Sequence, residues 1–296
     1  MAVSFKIFFG DRKVVRGLRI GSRLDKYRLV KKLGYGGFAT VYSALDQIEN
    51  RQVAIKVPEE KFVADAGSLA DLQREVRIMA KLEHEHIVPL KDARFIDGRF
   101  VMVFPLGQES LASRMQRRLA HQTAIDFVHQ MVASVAFAHS NKVLHRDVKP
   151  ENFILYANNQ LKLTDFGLAR IQTGRANQSA SGTLAYMAPE QAMGRPTFRS
   201  DVFSLGLVIY RMFSGQLPEY PFEWPLPGAT RACRVLSPEF LVLIRKAIDP
   251  VPSKRFRDAI AMQNALAQIR QPLRTACGKT AASSTSRRST RQRKAA

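Results

Sequence analysis

The stretch His145 to Asn152 reads HRDVKPEN, and Asp165-Phe166-Gly167 follows thirteen residues after Asn152. No other feature constrains the chain as much. It places two carboxylates, an amide oxygen and a lysine around one short strand-turn-strand unit. Phe153-Ile154-Leu155 and Leu161-Lys162-Leu163-Thr164 read as its strands, joined through Asn158-Asn159, with Asp165 at the exit. Asp147 can accept a hydroxyl proton there, while Asn152 and Asp165 can hold a divalent cation against phosphates. Singly these residues are ordinary turn formers; only their order and spacing carry weight.

Other segments answer to this one. Tyr27 to Leu45 reads as strand, glycine cluster, strand. Gly34, Gly36 and Gly37 spare the backbone a Cβ where it would approach phosphates. No Gly-Lys-Ser/Thr follows, which excludes a Walker loop. Val53 to Val57 is a buried-strand run with Lys56 embedded in it, and a buried ammonium needs a partner. Ser68 to His84 has helical periodicity: Leu72, Val76 and Met79 share a face, and Glu75 sits among them. A Lys56–Glu75 ion pair is expected, the alternative being local pairing of Glu75 with Arg74 or Arg77. From His121 onward Ala124, Phe127, Val128, Met131, Val132 and Val135 form the stripe of a long core helix. His84 and His86 match no metal spacing and read as structural.

Taken in order, these motifs resemble the eukaryotic-type serine/threonine protein kinases, over roughly Tyr27 to Arg270, in a compact arrangement like that of bacterial members. The resemblance implies an α+β, bilobal fold. A small β-rich lobe with one key helix (27–104) precedes a larger, mainly helical lobe (105–271), flanked by a basic extension (1–26) and a tail (272–296). It implies ATP and Mg2+ as cofactors, with Mn2+ as a substitute, and transfer of the γ-phosphate to Ser or Thr hydroxyls of proteins, including its own. Asp147 is then the catalytic base, and Lys149 neutralises the γ-phosphate. Asn152 and Asp165 hold the metal, and Lys56 is aimed at the α- and β-phosphates by Glu75. Gly34, Tyr35, Gly36, Gly37, Val41, Ala54, Met102, Val103, Glu109 and Ile154 are implied to surround the nucleotide, Met102 as gatekeeper and Val103 to Pro105 as hinge. Lys149 and the Gly182-Thr183 segment ahead of Ala188-Pro189-Glu190 mark the serine/threonine-specific type.

Further roles are implied by the same resemblance. Arg146 receives a phosphate placed on the activation segment at Ser179 or Ser181, and Thr183 bonds Asp147 and Lys149. Glu190 pairs with Arg255, and Asp201 braces the catalytic loop. Glu109 and Glu151 read arginines upstream of a target serine, giving basophilic selectivity; the alternatives are ribose binding by Glu109 and simple solvation of Glu151. Two positions depart from the pattern. Ala39 stands at the third glycine, and Pro105 has no N–H where the family commonly donates one to adenine. An adenine left with the Val103 carbonyl alone loses about 0.5–1.5 kcal/mol, up to roughly tenfold in affinity. These departures are the only support for an alternative reading as a pseudokinase scaffold.

Charge and composition add limits. The formal net charge is +21, and Ala259 to Ala296 holds eight Lys and Arg with no Asp or Glu. Beyond Pro272 the Ser/Thr/Ala/Arg-rich sequence lacks apolar periodicity and is expected to be disordered. Such a tail suits nucleic acid, an anionic membrane surface or an acidic partner, or is merely solvated. Its Arg287-Arg288-Ser289-Thr290 fits a basophilic enzyme, so autophosphorylation at Ser289 or Thr290 is expected. Family habit also raises a dimer that phosphorylates in trans. Cys233 and Cys277 suggest neither a metal site nor a disulfide framework. With no signal peptide and no apolar run of about 20 residues, a cytoplasmic protein without a membrane span is expected.

Overall fold

The computed structural model describes residues 18–36, 38–166 and 184–269. Gly37, Gly167, Ser179, Ser181 and Thr183 lie outside the described residues, as do most of the N-terminal extension, Cys277, and the tail with Ser289 and Thr290.

The first lobe is one antiparallel sheet. Its strands are β1 (Arg23–Leu24), β2 (Tyr27–Tyr35), β3 (Ala39–Asp46), β4 (Arg51–Pro58), β5 (Asp92–Ile96) and β6 (Arg99–Pro105), in the order β1-β2-β3-β4-β6-β5. Strand pairing begins at Arg23, ahead of the boundary drawn at Tyr27, because Leu24 belongs to the core on the outer face of the sheet. Period-2 alternation separates the two faces. Val53, Ile55 and Val57 of β4 join Val101 and Val103 of β6 in that outer core. Ala54 and Lys56 take the other face, opposite Phe104 and Met102. The lysine in an apolar run is therefore at a position of cleft-facing parity. Helices α1 (Glu60–Ala64) and α2 (Ala66–Met79) cover that inner face; Asp65 caps α2, accepting from the Ser68 N–H at 2.8 Å.

The second lobe opens with β7 (Glu109–Ser110) and α3 (Leu111–Arg114), followed by α4 (His121–Ser140). A three-stranded sheet joins β7 to β8 (Phe153–Leu155) and β9 (Leu161–Leu163). The rest is helical: α5 (Pro189–Ala192), α6 (Phe198–Ser214), α7 (Ala229–Val235), α8 (Pro238–Ala247) and α9 (Ala259–Ala267). The stripe expected on α4 is buried as a whole and packs against α6, α9 and β9. Helix α6 starts a turn before Asp201, because Thr197 and Ser200 form a reciprocal capping box at its head. This puts Asp201 in the first turn of the most buried helix of the lobe. The lobes are tied where β9 meets the His84–Val88 segment: the Leu163 N–H donates to the His86 carbonyl at 2.9 Å, and the Val88 N–H to that of Leu163 at 2.9 Å. His84 stacks on Phe137 at 4.7 Å, and burial lowers the pKa of both histidines, as suits structural roles. Among the described residues no helix is long and apolar enough to cross a membrane.

Candidate active site

The loop between α4 and β8 is held by more bonds than its motif foretells. Asn152 Nδ2 donates to the Asp147 carbonyl at 2.7 Å and to its Oδ2 at 3.0 Å, and Lys149 Nζ lies 2.8 Å from the same Oδ2. Arg146 adopts a left-handed conformation, φ 66°, which costs a non-glycine residue on the order of 1–3 kcal/mol. Its neighbours enforce it. The Arg146 N–H donates to Asp201 Oδ1 at 2.8 Å, and its carbonyl accepts from Gln191 Nε2 at 2.6 Å. Asp201 Oδ2 also accepts from the His145 N–H at 2.8 Å and contacts His139 Nε2 at 3.0 Å. Since His139 Nδ1 accepts the Ala259 N–H at 3.0 Å, Nε2 carries the proton and donates it to Asp201. Burial alone would raise the Asp201 pKa, but the hydrogen bonds from His139 and from the His145 N–H oppose it and hold the carboxyl low. Asp201 therefore braces the loop as expected. His139 and Gln191 were missed. His139 was legible, as a polar residue continuing the α4 stripe four positions after Val135; Gln191 reaches a carbonyl far back along the chain and left no local signal.

One expected contact is absent. Lys56 Nζ bonds Asp165 Oδ1 at 2.7 Å, and no Lys56–Glu75 ion pair forms among the described residues. Glu75 does face inward as its helical position requires, yet its Oε2 is buried with no hydrogen-bond partner. Burial without a partner has a consequence: desolvation pushes the Glu75 pKa up to about 8, against the opposing charge of Lys56. Asp165 is the stronger partner, because Lys56, His145 and Lys149 overcome its own burial and keep its pKa low.

Around the cleft, Val41 and Met102 flank Lys56 in register, and Ala54 lies opposite Phe104. A Cβ at Gly34 would stand in open space and one at Gly36 would meet only the Ala39 carbonyl, at 4.0 Å, so what they contribute is a missing side chain. Ala39 is buried, so its extra methyl packs into the core. Phe38, not singled out in the sequence, is buried against Phe62 at 4.8 Å. Tyr35, expected at the nucleotide, is exposed and gives its hydroxyl to Glu59. Glu109 already has an internal partner, Arg117. Ile154 presses on Gly107 so closely that a Cβ there would lie 2.1 Å from Ile154 Cγ2, which demands glycine. The hinge carbonyls are engaged. That of Val103 accepts the Lys91 N–H at 2.8 Å, so a contact with adenine there would be a second bond to the same oxygen. That of Pro105 accepts the Tyr156 hydroxyl at 3.0 Å, and burial pushes this tyrosine up to about 12.

The donor set fits a hard cation. Asn152 spends its amide nitrogen on Asp147, leaving Oδ1 as an acceptor, and Asp165 offers an ionised carboxylate: oxygen ligands of the kind Mg2+ takes beside phosphates. The chain matches one family description, "Protein kinase domain", over residues 27–267. The chain belongs to the protein kinase domain family. CBL-interacting serine/threonine-protein kinase 12 of Arabidopsis thaliana is 32% identical over 255 residues, 81% of this chain and 52% of the relative. The probable serine/threonine-protein kinase PknB of Lactococcus lactis is 32% identical over 202 residues, 66% of this chain and 32% of the relative. The chain thus spans about half or less of the length of these relatives. Among solved structures, the PknI kinase domain of Mycobacterium tuberculosis matches with a TM-score of 0.66 and 25% identity, over 85% of this chain and 99% of that one. The bilobal fold is thereby established, and the relatives include bacterial and plant kinases alike. The ion pair between Arg255 and Glu190 is present, bidentate at 2.8 and 3.1 Å, with Ser200 Oγ donating to Glu190 at 2.6 Å.

Proposed function

We propose that this kinase domain transfers the γ-phosphate of ATP to serine or threonine hydroxyls of proteins. The observation that carries the reading is the convergence at one end of the cleft of Asp147, Lys149, Asn152, Asp165 and Lys56, drawn from both lobes and bonded pairwise at 2.7–3.0 Å. Asp147 orients the acceptor hydroxyl and takes its proton as the bond to phosphorus forms. Lys149, beside that carboxylate, holds negative charge on the phosphoryl oxygens. Asn152 Oδ1 and the Asp165 carboxylate would hold Mg2+, whose positive charge neutralises the β- and γ-phosphate oxygens. Lys56 keeps Asp165 ionised and presents an ammonium at the phosphate end of the cleft.

The same reading covers acceptor choice. Glu151 is exposed beside the catalytic loop, while Glu109 is occupied by Arg117, so a basophilic enzyme would have to exchange its own arginine for that of the substrate. The test is Mg2+-dependent transfer from labelled ATP by wild type beside Asp147→Asn. Loss of a positioned base predicts a fall of about 10²–10⁴-fold. Mass mapping of the same reaction reports whether Ser and Thr alone are modified and whether Ser289 or Thr290 is among them. Full activity in Asp147→Asn, or modified tyrosines, would overturn the reading.

A further inference from the structure

The hinge carries an inference about the phosphate donor that rests on the proposed phosphotransfer and deepens it. Discrimination of adenine from guanine depends on backbone groups that match one edge and mismatch the other. Adenine presents an amino donor beside a ring-nitrogen acceptor, and guanine presents a carbonyl acceptor beside a ring N–H donor. A site built to hydrogen-bond one pattern rejects the other strongly, because its own polar groups would be left unpaired; a site lacking those groups cannot.

Here the matching groups are missing or engaged. Pro105 has no N–H to offer the adenine ring nitrogen. Its carbonyl accepts the Tyr156 hydroxyl at 3.0 Å. The Val103 carbonyl accepts the Lys91 N–H at 2.8 Å. Phe104 stands in the β4–β6 ladder opposite Ala54. What remains for a base is apolar: Val41, Ala54 and Met102 share the cleft-facing side of the first-lobe sheet, and Ile154 lies on β8 of the second lobe. Such walls hold any purine. Since both engaged carbonyls already have partners, a guanine leaves no newly orphaned group in the protein.

We propose that the nucleotide site is permissive for the purine base, accepting GTP as well as ATP as phosphate donor. Affinity then comes from the phosphate end and the apolar walls, which do not read the base edge.

The experiment measures equilibrium binding of Mg-ADP and Mg-GDP to the full chain, with initial rates for ATP and GTP alongside. Wild type is expected to bind the two diphosphates within about tenfold of each other, the range that single neutral hydrogen bonds can produce. Pro105→Val restores an N–H that suits adenine and opposes guanine, so it should widen the ATP preference by about tenfold, in KM rather than kcat. A wild-type preference for ADP of about a hundredfold or more would overturn the inference and leave the kinase reading intact. Failure of both nucleotides to bind would overturn the kinase reading itself.

Discussion

The catalytic loop and the Lys56–Glu75 region are both polar constellations at the lobe boundary, yet the bracing carboxylate of one, Asp201, has partners on both oxygens, and the carboxylate of the other, Glu75, has an oxygen with none. In the loop, Asp201 alone receives two backbone N–H groups and a histidine, and the left-handed Arg146 is pinned through both its N–H and its carbonyl. On α2, Glu75 buries an oxygen with no partner, close enough to feel the charge of Lys56 but not bonded to it. A satisfied network is stiff, because moving any member leaves another orphaned; an unsatisfied one has an incentive to rearrange. The base and cation-binding half of the site is thus built in place. The half that presents lysine to phosphates can still change partners.

Three perturbations would break or sharpen this contrast. Asp201→Asn, nearly isosteric, removes the charge that faces His139 and weakens three bonds at once. It should destabilise the fold by about 1.5–3 kcal/mol in chemical denaturation, the range for hydrogen bonds to a charged group, and reduce phosphotransfer at least a hundredfold. An active, stable Asp201→Asn protein would show that the loop holds itself. Glu75→Gln tests the other region through pH. The Glu75 pKa is raised in the folded state to about 8 from 4.5, so the folded protein binds its proton more tightly than the unfolded chain does. The resulting stabilisation is fully present below pH 4.5 and is lost as pH rises through 8. Wild type should therefore lose up to a few kcal/mol relative to Glu75→Gln across that window, and parallel pH–stability curves would remove the neutral-carboxyl account. Arg117→Ala should have the smallest effect, since exposed pairs contribute about 0–1 kcal/mol. Freed from its internal partner, Glu109 should favour arginine-bearing peptides a few-fold more, read as kcat/KM against an arginine-free peptide; no change would leave Glu109 without a role in acceptor choice.

Much of this was visible in the sequence, for reasons that differ by residue. The strands around Lys56, the α2 face with Glu75 and the α4 stripe follow from periodicity, which is a local property. The positions of Asp147, Asn152 and Asp165 follow from motif spacing, because a short hairpin has little freedom in where its ends lie. Arg255 with Glu190 and Asp201 with the loop were reached through family resemblance and stand in the structure. Phe38 against Phe62, His139 between Asp201 and Ala259, and Gln191 under Arg146 were not reached, since each depends on where distant elements come to rest.

What the sequence alone determined is the inventory opened by His145–Asn152 and Asp165: which side chains point into the cleft, and in what order. Only the tertiary structure decided which of them bond. Burial is a property of the packed molecule: it raises the Glu75 pKa, while packing sets Lys56 on Asp165 and the Tyr156 hydroxyl on the hinge carbonyl of Pro105. Charge states and hydrogen-bond partners depend on the solvent that packing removes, and no local pattern encodes that.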